Sequence, residues 1–250
     1  MVKSAITFAK SKRGVCTVVA DDTDIAIMLL HHWNEDMDDI WFVQQRSSKA
    51  WNIRVVESSV RDIKQDLLFV HAWSGCDSTC SIFGKGKVSI VKLFWKSKDL
   101  QRVSGVFMDA TSTQKQVGDA SIQAFQVLYG GSIRTTLRKL RFKKYMIISG
   151  RVNFHHENLP PTEQAANLHG LRVFYQIMEW RFLSDGMKNA EEWGWNKKDG
   201  LNMFPITTTA EYAPSYLQHV VRCQCTKPQR LQLIPLFALR RNTLAWNTFP

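Results

Sequence analysis

Val15, Thr17, Val18 and Val19 are β-formers, and the segment they begin runs straight into Asp21, Asp22 and Asp24 before an apolar run over residues 25–30. The pattern predicts a strand followed by a helix over residues 25–32, leaving the aspartates at the strand's carboxyl end. In open α/β sheets ligands bind in the crevice beyond such ends. The acidic stretch 34–39 reads as a loop, and two further strands are predicted over residues 40–44 and 52–56, the second from the period-two alternation Asn52-Ile53-Arg54-Val55. Ser59 opens another predicted helix with Asp62 in its first turn, its apolar face formed by Ile63, Leu67, Val70 and Trp73. Val88, Val91, Phe94 and Trp95 continue the helical spacing. Residues 117–150 look helical throughout, with Ile122, Phe125, Leu128 and Tyr129 on one face and Leu137, Leu140 and Tyr145 on another. Pro160-Pro161 breaks the chain, and a last amphipathic helix follows over residues 163–183 through Ala166, Leu168, Leu171, Phe174, Ile177 and Met178. After Ser184, Gly186, Gly194, Gly200, Pro205 and Pro214 predict loop.

These elements predict an α/β domain with a small sheet over residues 1–115, a helical basic region over 116–185 and an irregular C-terminal tail over 186–250. At 250 residues and 44% hydrophobic, the chain can bury a substantial core. Its formal charge of +11 is uneven: residues 1–100 hold 14 Lys or Arg against 12 Asp or Glu, and the remainder 19 against 10. A basic excess of this size favours polyanions, of which nucleic acid is the commonest inside cells; an anionic membrane surface or a need for solubility produces the same number. No apolar run is long enough to span a bilayer, and the basic N-terminus lacks a signal-peptide core. The five cysteines, Cys16, Cys76, Cys80, Cys223 and Cys225, are few and odd in number, which predicts a reducing, intracellular compartment and the nucleus if DNA is the partner. Nothing in the sequence specifies an oligomeric state.

The chemistry concentrates in two stretches. Asp21, Asp22 and Asp24 make the first, and Gly75-Cys76-Asp77 followed by Gly84-Lys85-Gly86-Lys87 the second. Convergent carboxylates repel one another unless a cation compensates, and Mg²⁺ or Mn²⁺ needs only a few of them because it keeps water or phosphate oxygens as its other ligands. Asp22, Asp24 and Asp77 fit equally well as helix caps. The Gly-Lys turn reads either as an ordinary connection or as a place where glycines admit a phosphate to the backbone and lysines add charge. Downstream, Arg134, Arg138, Lys139, Arg141, Lys143 and Lys144 form a run without an acid, either a solvated helix face or a second backbone contact. His31-His32 and His155-His156 lack ligand partners at zinc spacing, and Cys223-Gln224-Cys225 supplies two thiolates alone. Trp180, Trp193 and Trp195 fit a small core better than a base-stacking platform.

In order and content the two stretches resemble the PIN-like nucleases of the flap-endonuclease branch, and more closely a group of uncharacterised animal proteins, many of mobile-element origin, that share D-D-T-D, H-A-x-x-G-C-D-x-T and F-G-K-G-K. The likeness is good over residues 15–95; beyond them it rests on W-G-W near Trp193, P-I-T-T-T from Pro205 and C-Q-C at Cys223. It implies a three-layer α/β/α domain with a helix-two-turn-helix, Asp22, Asp24 and Asp77 as catalytic metal ligands with Asp21 beside them, and Gly84, Lys85, Gly86, Lys87 and the 134–144 run as the nucleic-acid contact, DNA being the expected polymer. Active relatives carry further carboxylates upstream of the D-x-D, whereas the twenty residues before Asp21 hold Lys3, Lys10, Lys12 and Arg13 and no acid. The N-terminal part of the domain is therefore expected to be missing. A metal-dependent endonuclease or exonuclease with weak or lost activity is one expectation, and a non-catalytic interaction or scaffold protein the other.

Overall fold

A computed structural model of the chain describes residues 1–132, 134–149, 155–183, 188–198 and 202–209. The chain divides into two units, Met1–Thr208 and Thr209–Pro250. All of the second but its first residue lies outside the described residues, and with it Cys223 and Cys225.

Helix α1 (Val2–Lys10) buries Val2, Ala5, Ile6 and Ala9, a spacing of three and four that sets its apolar stripe against the sheet. Strand β1 (Cys16–Val19) pairs parallel to β2 (Ile40–Val43), which pairs antiparallel to β3 (Ala50–Asn52). Helix α2 (Thr23–His32) is the crossover between the two parallel strands. In this register Val18 lies opposite Phe42 and Thr17 opposite Trp41. Val18, Ile40 and Phe42 are buried, whereas Val19 and Trp41 are exposed. The sheet is thus covered on one face, and the second helical layer of a three-layer sandwich is absent among the described residues.

The strand expected over residues 52–56 is a helix. Strand β3 stops at Asn52, whose side chain accepts from the amides of Arg54 and Val55 at 2.9 and 3.4 Å and so starts α3 (Ile53–Val60). Ile53 and Glu57 are buried and Val55 is 64% exposed, which is helical spacing; two alternating residues were too few to set the period. A 3-10 turn, Arg61–Asp66, leads into α4 (Leu67–Ser74), so the helix expected from Ser59 is three shorter pieces.

All eight residues of α4 are buried, and it packs against α2, α5 (Lys87–Lys96), α6 (Lys98–Met108) and α9 (Glu163–Phe182). Phe69 meets Phe107 at 4.8 Å and Trp73 at 5.9 Å, and Trp73 meets Phe125 at 5.2 Å. Each such ring contributes about 1.5–3 kcal/mol by leaving water. Phe125 belongs to α7 (Gln114–Leu128), opened by a Thr113–Gln116 capping box. Helices α7 and α9 approach so closely that a Cβ on Gly170 would lie 2.4 Å from Ser121 Cβ. The regions read as 1–115 and 116–185 therefore share one core.

The long helix expected over residues 117–150 is interrupted after Leu128, where Gly130 takes φ +78°, and resumes as α8 (Leu137–Ile148) with Thr136 as its cap. Beyond α9, where loop was expected, β4 (Trp195–Lys198) and β5 (Asn202–Pro205) pair antiparallel, and Trp193 stacks on Phe174 at 4.4 Å. Among the described residues no helix is long and apolar enough to cross a membrane.

Candidate metal centre

Asp22 is the N-cap of α2, and its Oδ1 accepts from the Asp24 amide at 2.8 Å. The capping alternative is thus realised, and it uses one of two carboxylate oxygens. Asp21 turns elsewhere: it accepts from the Arg46 amide at 2.9 Å and lies 3.5 Å from Arg46 Nε.

Asp77 arrives from the end of α4. Gly75 terminates that helix at φ +112°, and a Cβ there would sit 2.6 Å from Ser81 Cα, so conformation and space both require glycine. The next four residues close a turn in which Cys76 and Thr79 exchange backbone hydrogen bonds at 3.1 and 3.2 Å, while Thr79 Oγ1 donates to the Ala72 carbonyl at 2.5 Å and locks the turn onto α4. Asp77 projects from this turn, exposed. One ligand oxygen each from Asp22, Asp24 and Asp77 falls within 4.8 Å of the others.

This arrangement fits a divalent ion. Two oxygens on opposite sides of Mg²⁺ stand about 4.2 Å apart and those around Ca²⁺ about 5 Å, so the triad could hold either size after small movements of the exposed Asp22 and Asp77 carboxylates. The donor set is all oxygen, which suits hard cations without selecting Mg²⁺ or Mn²⁺.

Two further side chains complete the centre. His71, buried on α4, places Nε2 2.7 Å from Asp24 Oδ1, and Lys87 Nζ lies 3.0 Å from His71 Nδ1. With the ammonium donating to Nδ1, Nε2 carries the ring proton and donates to Asp24. Desolvation lowers the Lys87 pKa, and the charges of Asp24, Cys76 and Asp77 oppose that shift. Lys87, expected on a nucleic-acid surface, is therefore joined to the acidic centre. His71 stood inside the H-A-x-x-G-C-D string without a role; its only sequence signal was a histidine in a largely apolar helix, shortly before Asp77 in the chain.

The other basic residues divide by location. The turn from Ile82 to Lys85 closes with a 2.9 Å backbone bond and Gly84 at φ +66°, Gly86 caps α5, and Lys85 lies over the Tyr129 ring at 5.5 Å. Arg134, Arg138, Lys139, Lys143 and Lys144 are exposed, and Arg141 donates to the Pro160 carbonyl. None of them forms an ion pair among the described residues. His32 Nε2 is spent on the Trp180 carbonyl at 2.8 Å, Trp180 and Trp193 are buried, and Trp195 is half-buried. Compared with known proteins, the chain matches no family model, no curated protein and no solved structure.

Proposed function

We propose that this chain is a PIN-like, flap-endonuclease-related protein that binds nucleic acid, with DNA in the nucleus as its polymer, and that holds Mg²⁺ or Mn²⁺ at Asp22, Asp24 and Asp77 with weak or lost phosphodiesterase activity. The observation that carries this reading is the convergence of those three carboxylates from β1–α2 and from the turn after α4. The two tight turns and helix α5 that follow Asp77 add support, as does the exposed positive charge on α8. A divalent ion bound there would neutralise charge on a phosphodiester and lower the pKa of a water. The chain's own residues cap, orient and balance: Asp22 fixes the start of α2, His71 holds Asp24, and the Lys87 ammonium offsets part of the carboxylate charge. Three carboxylates suffice for one ion and leave the two-metal displacement short of ligands, which favours binding without turnover.

The test is incubation of the purified protein with flapped, single-stranded and nicked DNA in Mn²⁺, with Asp24→Asn as the control for contaminating nuclease. Retention of DNA with no cleavage above that control is expected. Robust cleavage that disappears in Asp24→Asn would make the chain an active nuclease and overturn the reading of lost activity. A non-catalytic interaction or scaffold module of mobile-element origin is the second reading, favoured by Phe142, Met146 and Ile147, which stay exposed on α8 at 64, 61 and 54%. Failure to retain any DNA at low salt would select it.

A further inference from the structure

Lys85, from the turn before α5, and Lys144, near the end of α8, are distant in sequence yet line one cavity of about 230 Å³ with Tyr129, His155 and Asn158. Among the described residues no carboxylate lines it. Burial raises the pKa of the Tyr129 hydroxyl and the charge of Arg141 partly offsets that, which puts a third cation beside the same ring. Lys85, Arg141 and Lys144 have no ion-pair partner among the described residues. Cations gathered around a recess without a counter-charge raise one another's energy, and an anion entering the recess relieves it. Two ammonium groups, a phenol and a carboxamide, drawn from the turn before α5, the end of α7, α8 and residue 158, supply several separate donors, which suits a tetrahedral oxyanion better than a planar carboxylate.

We propose that this cavity binds a phosphate group, taken either from a nucleic-acid backbone or from a free phosphomonoester. The inference rests on the nucleic-acid reading above only for the polymer as a source. It also separates the two lysines of the Gly-Lys-Gly-Lys turn, Lys85 serving the phosphate and Lys87 the acidic centre.

The full chain is titrated with inorganic phosphate, with adenosine monophosphate and with a short duplex DNA while the backbone amide signals of Lys85, Tyr129 and Asn158 are followed by NMR. Saturable shifts centred on these residues are expected with phosphate. Lys85→Ala and Lys144→Ala should each weaken it about tenfold, the strength of one charge-assisted contact. The double variant should lose less than the product of the two, because the sites share one ligand. Lys115→Ala, exposed in the first turn of α7 outside the cavity, should change nothing, and unchanged thermal unfolding of the variants shows the fold intact. If duplex affinity falls in the same variants, the phosphate belongs to the backbone. If only inorganic phosphate and the monophosphate lose affinity, the source is a free phosphomonoester and these lysines leave the nucleic-acid surface. Shifts that do not saturate, or an equal loss in Lys115→Ala, overturn the cavity as a phosphate site whatever the duplex does.

Discussion

The two oxygens of Asp24 have different surroundings. Oδ1 takes the His71 Nε2 bond at 2.7 Å, while the residue's own amide is held by Asp22, so the carboxylate is oriented from both sides and its second oxygen is left for an ion. Outer-shell partners of this kind typically change metal affinity 10–100-fold when removed. His71→Ala is therefore expected to weaken Mn²⁺ binding by about tenfold or more by calorimetry, and His71→Gln, whose amide nitrogen can replace Nε2, to retain most of it. Equal affinities in the wild type and His71→Ala would remove His71 from the centre. Gly75→Ala tests the other arm. The substitution forces a side chain into a conformation that costs about 1–3 kcal/mol and against the Ser81 backbone, so the urea midpoint should drop and Mn²⁺ affinity with it as the Asp77 turn shifts. At this scale Asp22, Asp24 and Asp77 were legible from a D-x-D at a strand end and a G-C-D after a helix. His71 was not, because a lone histidine among Leu67, Leu68, Phe69, Val70 and Trp73 reads as core. Lys87 was read as a phosphate contact because a sequence shows a charge and not the direction of its ammonium.

Between elements, Glu57 joins α3 to the turn that follows it and to the end of α2. Its carboxylate accepts from Lys64 Nζ at 3.0 Å and from Arg61 Nη2 at 3.4 Å, while the same Lys64 ammonium donates to the Trp33 carbonyl at 2.6 Å and lies 5.8 Å from the Trp33 ring. Burial works against the charge on Glu57, but Lys64 and Arg61 outweigh it and hold the carboxyl below the usual glutamate range. A pKa depressed in the folded state means stability that is present above the unfolded value and lost as pH falls through the folded one. Glu57→Ala is expected to cost about 1.5–3 kcal/mol at neutral pH, the range for hydrogen bonds to charged groups, and progressively less in acid, by urea denaturation at each pH. A deficit that does not shrink in acid would show that packing, not the ion pair, makes the contribution. The elements themselves were largely legible. Thr162 and Thr113 stand where caps start α9 and α7, and the apolar spacing over α5 and α9 is unambiguous. Helices α1 and α6 were not predicted and β4–β5 was read as loop, while two misreadings have local causes: Asn52 caps a helix where a short alternation suggested strand, and Gly130 ends a helix where hydrophobic spacing continued.

At the scale of the whole unit, buried histidines link stability to pH. Burial, aided by the charge of Arg172, lowers His169 to about 4, against the bond from its Nε2 to the Trp73 carbonyl; burial and the neighbouring His32 take His31 to about 4 as well. Both folded values lie below the unfolded value of 6.5, so the unfolded chain binds more protons between about pH 4 and 6.5 and stability falls as pH falls through that window. His169 alone sets a slope of about 1.4 kcal/mol per pH unit there. His169→Gln, which can still donate to Trp73, should flatten the dependence between pH 6.5 and 5 by urea midpoints, and an unchanged slope would show that His169 takes up its proton without unfolding. The sequence by itself determined what depends on near neighbours: helical and strand periods, caps, the aspartates beyond β1, the glycine at Gly75 and the excess of positive charge. Each follows from backbone geometry repeated over a few residues or from simple charge counting. The motif order already implied that Asp77 joins Asp22 and Asp24. Only the tertiary structure decided the other meetings. Lys87 reaches His71, Lys85 and Lys144 share a cavity, and one sheet face stays uncovered among the described residues, because these come from how distant helices such as α4, α5 and α9 pack and leave no local trace in the chain.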